Sequence, residues 1–393
     1  MSTMKVGIDA IGFYIPHYYL DLATLAKTRN VPVDKFYIGL GQKKMSIPPP
    51  DEDIITMAAN SAQRVLKYED KNNIDTLMFA TESGLDYAKG AGIYLHKLLK
   101  LPSQCRVIEL KQACYASTAG IQMALSMLYQ NPQRKILVIA SDIARYGLNT
   151  PGEPSQGSGA VTMLLSVEPR LIAIEPESGF YAEDVMDFWR PYYRDEVIVN
   201  GKYSCDLYMR VLDKVWQSYS ELSGRQFSDH DYFCYHVSIP RLVEKAHKRL
   251  VKHACCEELT DIELQQSVGN SLLYGREIGN SYTAALYISL LSLLETVDKD
   301  LTNHRIGFYS YGAGCVGEYF SVIVQPKYRE MLDIKYHQNL LTNRQSLSYQ
   351  EYEQFYNFKL PVDGSVLTIS EHKTGQFRLA AINDHKRIYE YIT

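Results

Sequence analysis

The sequence predicts an α/β fold in which two similar halves pack as one body around sheets covered on both faces. Three observations carry this. Over residues 1–170, short apolar runs alternate with stretches long enough for helices. After residue 170 the same alternation returns in a looser form. No segment rich in Pro, Gly or Ser separates the two, so 1–168 and 169–393 read as halves of one unit, with a peripheral region after about residue 326.

Each element follows from its own pattern. KVGIDAIGFYI (5–15) reads as a strand, and DEDIITMAANSAQRVLKY (51–68) as a helix with acids in its first turn, where they meet the positive end of the dipole. IDTLMFA (74–80) is a strand, followed by a helix near 89–100 and the short strand CRVIEL (105–110). Residues 115–129 are rich in Ala, Met and Leu and helical; KILVIA (135–140) and GAVTMLLSV (159–167) are apolar strands of the kind a doubly covered sheet requires. The second half opens on the strand LIAIEPES (171–178) and a polar, aromatic insertion to about 200. A helix at 203–222, the strand DYFCYH (231–236) and a helix at 240–251, with Pro240 at its start, follow. An apolar helix at 283–294 leads to the strands RIGFYSYG (305–312) and EYFSVIV (318–324). Beyond Pro326 the chain turns polar and Tyr-rich, and one peripheral helix and a hairpin are expected.

Composition removes several function classes. With 41 basic and 45 acidic residues the formal charge is −4, which lacks the basic excess that displaces counterions from nucleic acid. The longest apolar stretch, TAALYISLLSLL, is far shorter than the ~20 residues of a bilayer span, so no membrane partner is expected. Seven cysteines without regular spacing, and a start without a signal-peptide pattern, fit a reducing, cytoplasmic setting. The 31 tyrosines are an unusual number, for which the sequence offers no function.

Three groups of complementary chemistry stand at strand ends, where α/β folds gather functional side chains. Cys114 follows the strand at 105–110 and opens a helix rich in small residues. A thiol at a helix N-terminus is expected to have a lowered pKa and thiolate character, and the same amides can bind an oxyanion; the alternative is a buried, inert cysteine. His236 ends the strand DYFCYH, either in the site or as a core histidine. Glu82, in TESGLD after the strand at 74–80, is either a solvated loop acid or a carboxylate whose desolvation lets it exchange protons near neutrality. Two other motifs fail. Gly312-Ala-Gly314-Cys-Val-Gly317 matches a dinucleotide pattern, but a strand follows it, leaving no helix N-terminus for a pyrophosphate. His253, Cys255 and Cys256 have no second ligand pair at zinc spacing, so no metal is expected.

With these residues in place the chain resembles the 3-hydroxy-3-methylglutaryl-CoA synthase family, in its bacterial form. The resemblance runs along nearly the whole length to about residue 326 and more loosely after it. It is carried by YIGLGQKKM (37–45), TESGLD (81–86), QACYAST (112–118), SDIARYG (141–147), DFWRP (187–191), YHVSIP (235–240), GNSYTAAL (279–286) and FYSYGAG (308–314). It implies a thiolase-like, five-layered αβαβα fold of two pseudo-repeated halves, assembled as a homodimer. It also implies acetyl transfer from acetyl-CoA to Cys114, removal of a methyl proton by Glu82, and attack on acetoacetyl-CoA whose ketone His236 polarises. Loss of Glu82 is then expected to abolish condensation and spare acylation. No cofactor is implied, because the CoA thioesters are substrates.

By the same resemblance Asn280 and Ser310 contact the acetoacetyl or product portion, Tyr146 lines the acyl site, and Ser155 and Ser204 match hydroxyl positions. Asp187 orients the catalytic groups, while Arg241 and Lys245, one helical turn apart, face CoA. The chain departs from the animal enzymes at Ala113, Ala116, Ser117 and Arg241, and by a length change at 149–158. The alternative within this chemistry is a polyketide β-branching enzyme that condenses acetyl groups onto carrier-protein substrates.

Overall fold

The computed structural model describes residues 4–255 and 258–392; Cys256 and the side chain of Cys255, members of the cluster set aside above, lie outside them. The first half builds β1 (Val6–Tyr14), β2 (Tyr18–Asp21), α1 (Leu22–Thr28), β3 (Lys44–Ile47), α2 (Ile54–Val65), β4 (Ile74–Ala80), α3 (Ala91–Leu99), β5 (Arg106–Leu110), α4 (Ala116–Gln130), β6 (Lys135–Ile143) and β7 (Ser158–Val167). The second half builds β8 (Ile172–Ala182), α5 (Gly201–Ser223), β9 (Tyr232–Tyr235), α6 (Pro240–Cys255), α7 (Asn270–Ile278), α8 (Ala285–Thr296), β10 (Arg305–Gly312) and β11 (Val316–Val324).

The strands form one continuous ladder in the order β9-β10-β11-β8-β1-β7-β6-β4-β5. Its two wings repeat each other. β1 pairs β7 and β7 pairs β6 antiparallel, then β6 pairs β4 parallel. In the same way β8 pairs β11 and β11 pairs β10 antiparallel, then β10 pairs β9 parallel. The wings meet where β1 and β8 share Gly7–Ala173 and Ile8–Ile172. β1 is buried at every position, as a strand covered on both faces requires.

Helices fill three layers, one outside each wing and one between them. α2 and α3 cover one face of the first wing, and α5 and α6 lie together over one face of the second. Between the wings lie α4 and α8, joined by Ser117 Oγ donating to Thr283 O at 2.7 Å and by a 2.9 Å contact between the Thr118 and Tyr287 hydroxyls. The apolar stretch at 283–294 is therefore this central helix, buried along nearly its whole length. Among the described residues no helix is long and apolar enough to cross a membrane. The glycine-rich segment at 312–317 is the turn between β10 and β11, a strand–turn–strand as its sequence indicates.

The tail departs from the single helix and hairpin expected of it. It holds α9 (Ile334–Thr342), β12 (Gln345–Ser346), α10 (Tyr349–Asn357) and a meander of β13 (Leu367–Thr368), β14 (Phe377–Asn383) and β15 (Lys386–Tyr391). β12 extends the small β2–β3 sheet. α10 begins with Ser348 and Glu351 in a reciprocal capping box, a signature present in the sequence beneath the tyrosines. The meander is tied to the start of α2, where Asp51 pairs with Arg378 and Asp53 accepts from Arg387 and Tyr389 while capping Ile55 and Thr56.

One close approach fixes α5 on β8. A Cβ at Gly179 would collide with the backbone of Val215 and Tyr219, so helix and strand meet there without a side chain between them. Gly179→Ala is expected to lower the unfolding free energy by about 3 kcal/mol in urea denaturation, because neither backbone can yield without breaking its own ladder.

Candidate active site

The turn that presents Cys114 lies between β5 and α4. Ala113 sits at φ +43°, a left-handed conformation that costs a residue with a side chain about 1 kcal/mol or more and swings the next side chain off the helix axis. The thiol stands ahead of the first helical residue, Ala116. Cys114 Sγ donates to Glu82 Oε1 at 2.9 Å, so the structure brings together two groups that lie on different loops.

A buried carboxylate holds Glu82 in place. Asp142, fully buried at the end of β6, accepts from Thr81 Oγ1 at 2.7 Å and from the amides of Glu82 and Ser83 at 2.9 Å each. Its other oxygen accepts from the amide of Thr283 at 3.1 Å and from the Thr283 hydroxyl. The guanidinium of Arg190 donates to the carbonyl of Glu82 from the opposite side. Burial, reinforced by the charge of Asp142, pushes the Glu82 carboxyl up to about 8.

The expected thiolate is not what this arrangement favours. Burial, then the charge and hydrogen bond of Glu82, hold the Cys114 thiol well above its ordinary value. Desolvation and a neighbouring acid outweigh the helix N-terminus, which the sequence displays and the others it does not. The resting pair is a neutral thiol whose proton faces the acid.

His236 directly follows β9, and its amide donates to Tyr309 O at 2.8 Å on β10. Burial lowers its imidazole to about 4, so the ring is neutral at physiological pH. The next β10 residue, Ser310, is buried and accepts from Thr118 Oγ1 at 2.8 Å, one helical turn from Cys114. The Gly-rich turn closes on the nucleophile as well: a Cβ at Gly312 would lie 2.6 Å from Gln112 O and 2.8 Å from Tyr115 N. Only glycine lets β10 approach the Cys114 turn so closely.

Tyr146, Ser155 and Asn280 form a second group. Asn280 Nδ2 donates to Tyr146 Oη at 3.2 Å, and its amide donates to Ser155 O at 3.0 Å. Tyr146 packs with Phe188 and Tyr282 in a ring cluster. Burial raises the Tyr146 phenol, with the Cys114 and Glu82 charges contributing. Asp187 and Ser204 form a third group: Asp187 Oδ2 accepts from Ser204 at 3.0 Å and Tyr311 at 2.9 Å, and Oδ1 from the Gly314 amide at 2.9 Å. It ties the insertion and α5 to the turn beside Cys114. Arg241 and Lys245 are exposed on α6, with Arg241 paired to Glu244 at 2.6 Å. Among the described residues no cluster of three or more His, Cys, Asp or Glu is arranged to hold a metal ion.

Asp142, Arg190 and Tyr282 are part of this geometry, although residue-by-residue reading did not single them out. Each lay inside a quoted segment: SDIARYG, DFWRP and GNSYTAAL. A buried Asp between a strand and an RYG turn was the available signal.

The chain matches the sequence pattern of the hydroxymethylglutaryl-coenzyme A synthase N-terminal region over residues 2–169 and of the C-terminal region over 252–362. It is 38% identical to the hydroxymethylglutaryl-CoA synthase of Enterococcus faecalis, across 98% of this chain and 100% of that protein. It is 33% identical to a polyketide biosynthesis 3-hydroxy-3-methylglutaryl-ACP synthase, PksG of Bacillus subtilis, over 89% and 87% of the two chains. A crystal structure of HMG-CoA synthase complexed with CoA superimposes with a TM-score of 0.94 at 36% identity, covering 99% of this chain and 100% of that one.

The raised carboxyl sets a pH dependence. A base is active only when deprotonated, so below about 8 the Glu82 carboxyl holds its proton and kcat/KM should rise with pH, levelling above about 8. The limb should appear in the steady-state profile with acetyl-CoA and acetoacetyl-CoA, and the slower acetyl-enzyme formation that remains in Glu82→Gln should lack it.

Proposed function

The chain belongs to the hydroxymethylglutaryl-CoA synthase family, and from that premise we propose how its own residues condense acetyl-CoA with acetoacetyl-CoA and water to (S)-3-hydroxy-3-methylglutaryl-CoA and CoA, on the mevalonate route to isoprenoids. The observation that carries the reading is the 2.9 Å contact between Cys114 Sγ and Glu82 Oε1. A thiol that is neutral at rest needs an acceptor for its proton as it attacks, and Glu82 is the group in contact. Cys114 attacks the acetyl carbonyl, CoA leaves with a proton, and an acetyl thioester remains on the enzyme.

Glu82, deprotonated, then removes a proton from the acetyl methyl group. The carbanion adds to the ketone carbon of acetoacetyl-CoA, and the alkoxide takes that proton back from Glu82 as the carbon–carbon bond forms. Water cleaves the enzyme thioester, releasing the product and restoring the thiol. His236 serves as a neutral hydrogen-bond donor to the ketone oxygen, because burial keeps the ring uncharged. The amides of the Cys114 turn, held against Gly312, are suited to the thioester oxygen as negative charge develops on it.

Asn280 and Tyr146, joined by their hydrogen bond, are assigned to the acyl portion, with Ser155 beside them. Ser310, bonded to Thr118, supports the floor under Cys114, and Asp187 with Ser204 fixes the turn that covers it. Arg241 and Lys245, exposed on α6, are assigned to the CoA path. We assign the chain to the cytoplasm and to a homodimer. The open edge strand β5, with Ile108 46% exposed, favours a second copy, as does a groove of about 300 Å³ lined by Tyr115 and Phe180. The reaction as written needs no cofactor beyond its two thioesters.

The test is turnover of acetoacetyl-CoA and acetyl-CoA with no carrier protein present, the product identified by mass. Formation of 3-hydroxy-3-methylglutaryl-CoA supports the free-CoA reading. Acetylation without turnover moves the second substrate to a carrier protein, as in the PksG-type relatives. Cys114→Ser should lose acetyl-enzyme formation, because an unactivated hydroxyl is a far weaker nucleophile. Glu82→Gln should still acetylate, more slowly, and fail to condense; near-wild-type product would require another base.

A further inference from the structure

The tyrosines of the tail have no part in the chemistry above, yet one of them reaches the loop that carries Tyr146 and Ser155. Tyr352, on α10, is 1% exposed. Its hydroxyl accepts from Gln156 Nε2 at 2.9 Å and donates to Glu153 Oε1 at 3.3 Å. Gln156 Oε1 in turn accepts from the amide of Tyr146 at 2.8 Å. Glu153, itself buried, is anchored at its other oxygen by the Asn149 amide at 3.0 Å and by Arg29 from α1.

The direction of this chain is forced. The Tyr146 N–H can meet only the oxygen end of the Gln156 amide, which turns the NH2 end toward Tyr352. Tyr352 must then accept there, and its own proton goes to Glu153. Ser155 lies between the two anchored residues and receives the Asn280 amide. The backbone carbonyl of Tyr356, one turn further along α10, accepts from Arg145 Nη2 at 2.6 Å, and its ring centre lies 4.1 Å from that guanidinium. The tail thus grips the acyl-site loop at Arg145, Glu153 and Gln156.

We propose that Tyr352 is a positioning residue for acetyl transfer: its hydroxyl fixes the Gln156 amide, which sets Tyr146 and, through the same loop, Ser155 and Asn280. The inference rests on the function proposed above. Without the hydroxyl, the Gln156 NH2 and Glu153 Oε1 lose a buried partner. The amide is then free to turn its donor end against the Tyr146 N–H, which moves the phenol.

Tyr352→Phe keeps the ring and removes only the hydroxyl. Acetyl-enzyme formation on Cys114 should slow roughly tenfold, the effect of a misplaced active-site group worth one hydrogen bond, while KM for acetyl-CoA stays within about twofold. Tyr219→Phe is the control. That tyrosine is equally buried in the second half, its hydroxyl bonded to Ser321 at 2.7 Å; it should lose comparable thermal stability and acetylate normally. Wild-type acetylation in Tyr352→Phe, or equal slowing in Tyr219→Phe, overturns the inference alone. A wild-type chain that places no acetyl on Cys114 overturns the proposed function and this inference with it.

Discussion

The active-site geometry hangs on one buried carboxylate. Asp142 collects donors from both ends of the catalytic machinery: the Thr81–Ser83 turn that presents Glu82, and Thr283 from the loop that also holds Asn280 and Tyr282. A fully buried charge of this kind is tolerable only when its oxygens are saturated, and here the donors are backbone amides and hydroxyls rather than a cation. The arrangement serves two ends. It locks the two halves at the point where their residues must meet, and it sets a second negative charge near Glu82, raising that carboxyl toward neutrality.

Reactivity in this site is set by burial more than by helix dipoles. The thiol and the acid are both held in their neutral forms, while His236 is held uncharged. Proton transfer from Cys114 therefore waits on the ionised fraction of Glu82, which takes the thiol proton so that the pair carries one negative charge before and after.

Much of this was legible in the sequence, and the remainder was not for physical reasons. The strands β1, β4, β6 and β7 announce themselves as apolar runs, since strands buried on both faces carry little else. Cys114, Glu82 and His236 are visible as reactive types at strand ends, and the Gly312 segment is the strand–turn–strand its sequence indicates. The Cys114 protonation state was misread, because a helix start is written locally while desolvation and the Glu82 contact are long-range. Asp142 and Arg190 went unnamed for the same reason: their partners lie about 60 and 108 positions away. The tail was underestimated because the brace from Tyr352 to Gln156 crosses 196 residues of sequence.

The central claim is that acetyl transfer to Cys114 precedes carbon–carbon bond formation within one site built from both halves. A rapid-mix experiment tests it most directly: acetyl-CoA alone, then acetoacetyl-CoA, with intact-protein and peptide mass followed over time. The account requires one acetyl group on the peptide containing Cys114 after the first step, and its disappearance in step with appearance of 3-hydroxy-3-methylglutaryl-CoA after the second. Product formed while Cys114 remains unmodified, or an acetyl group on Cys114 that acetoacetyl-CoA never removes, would contradict it.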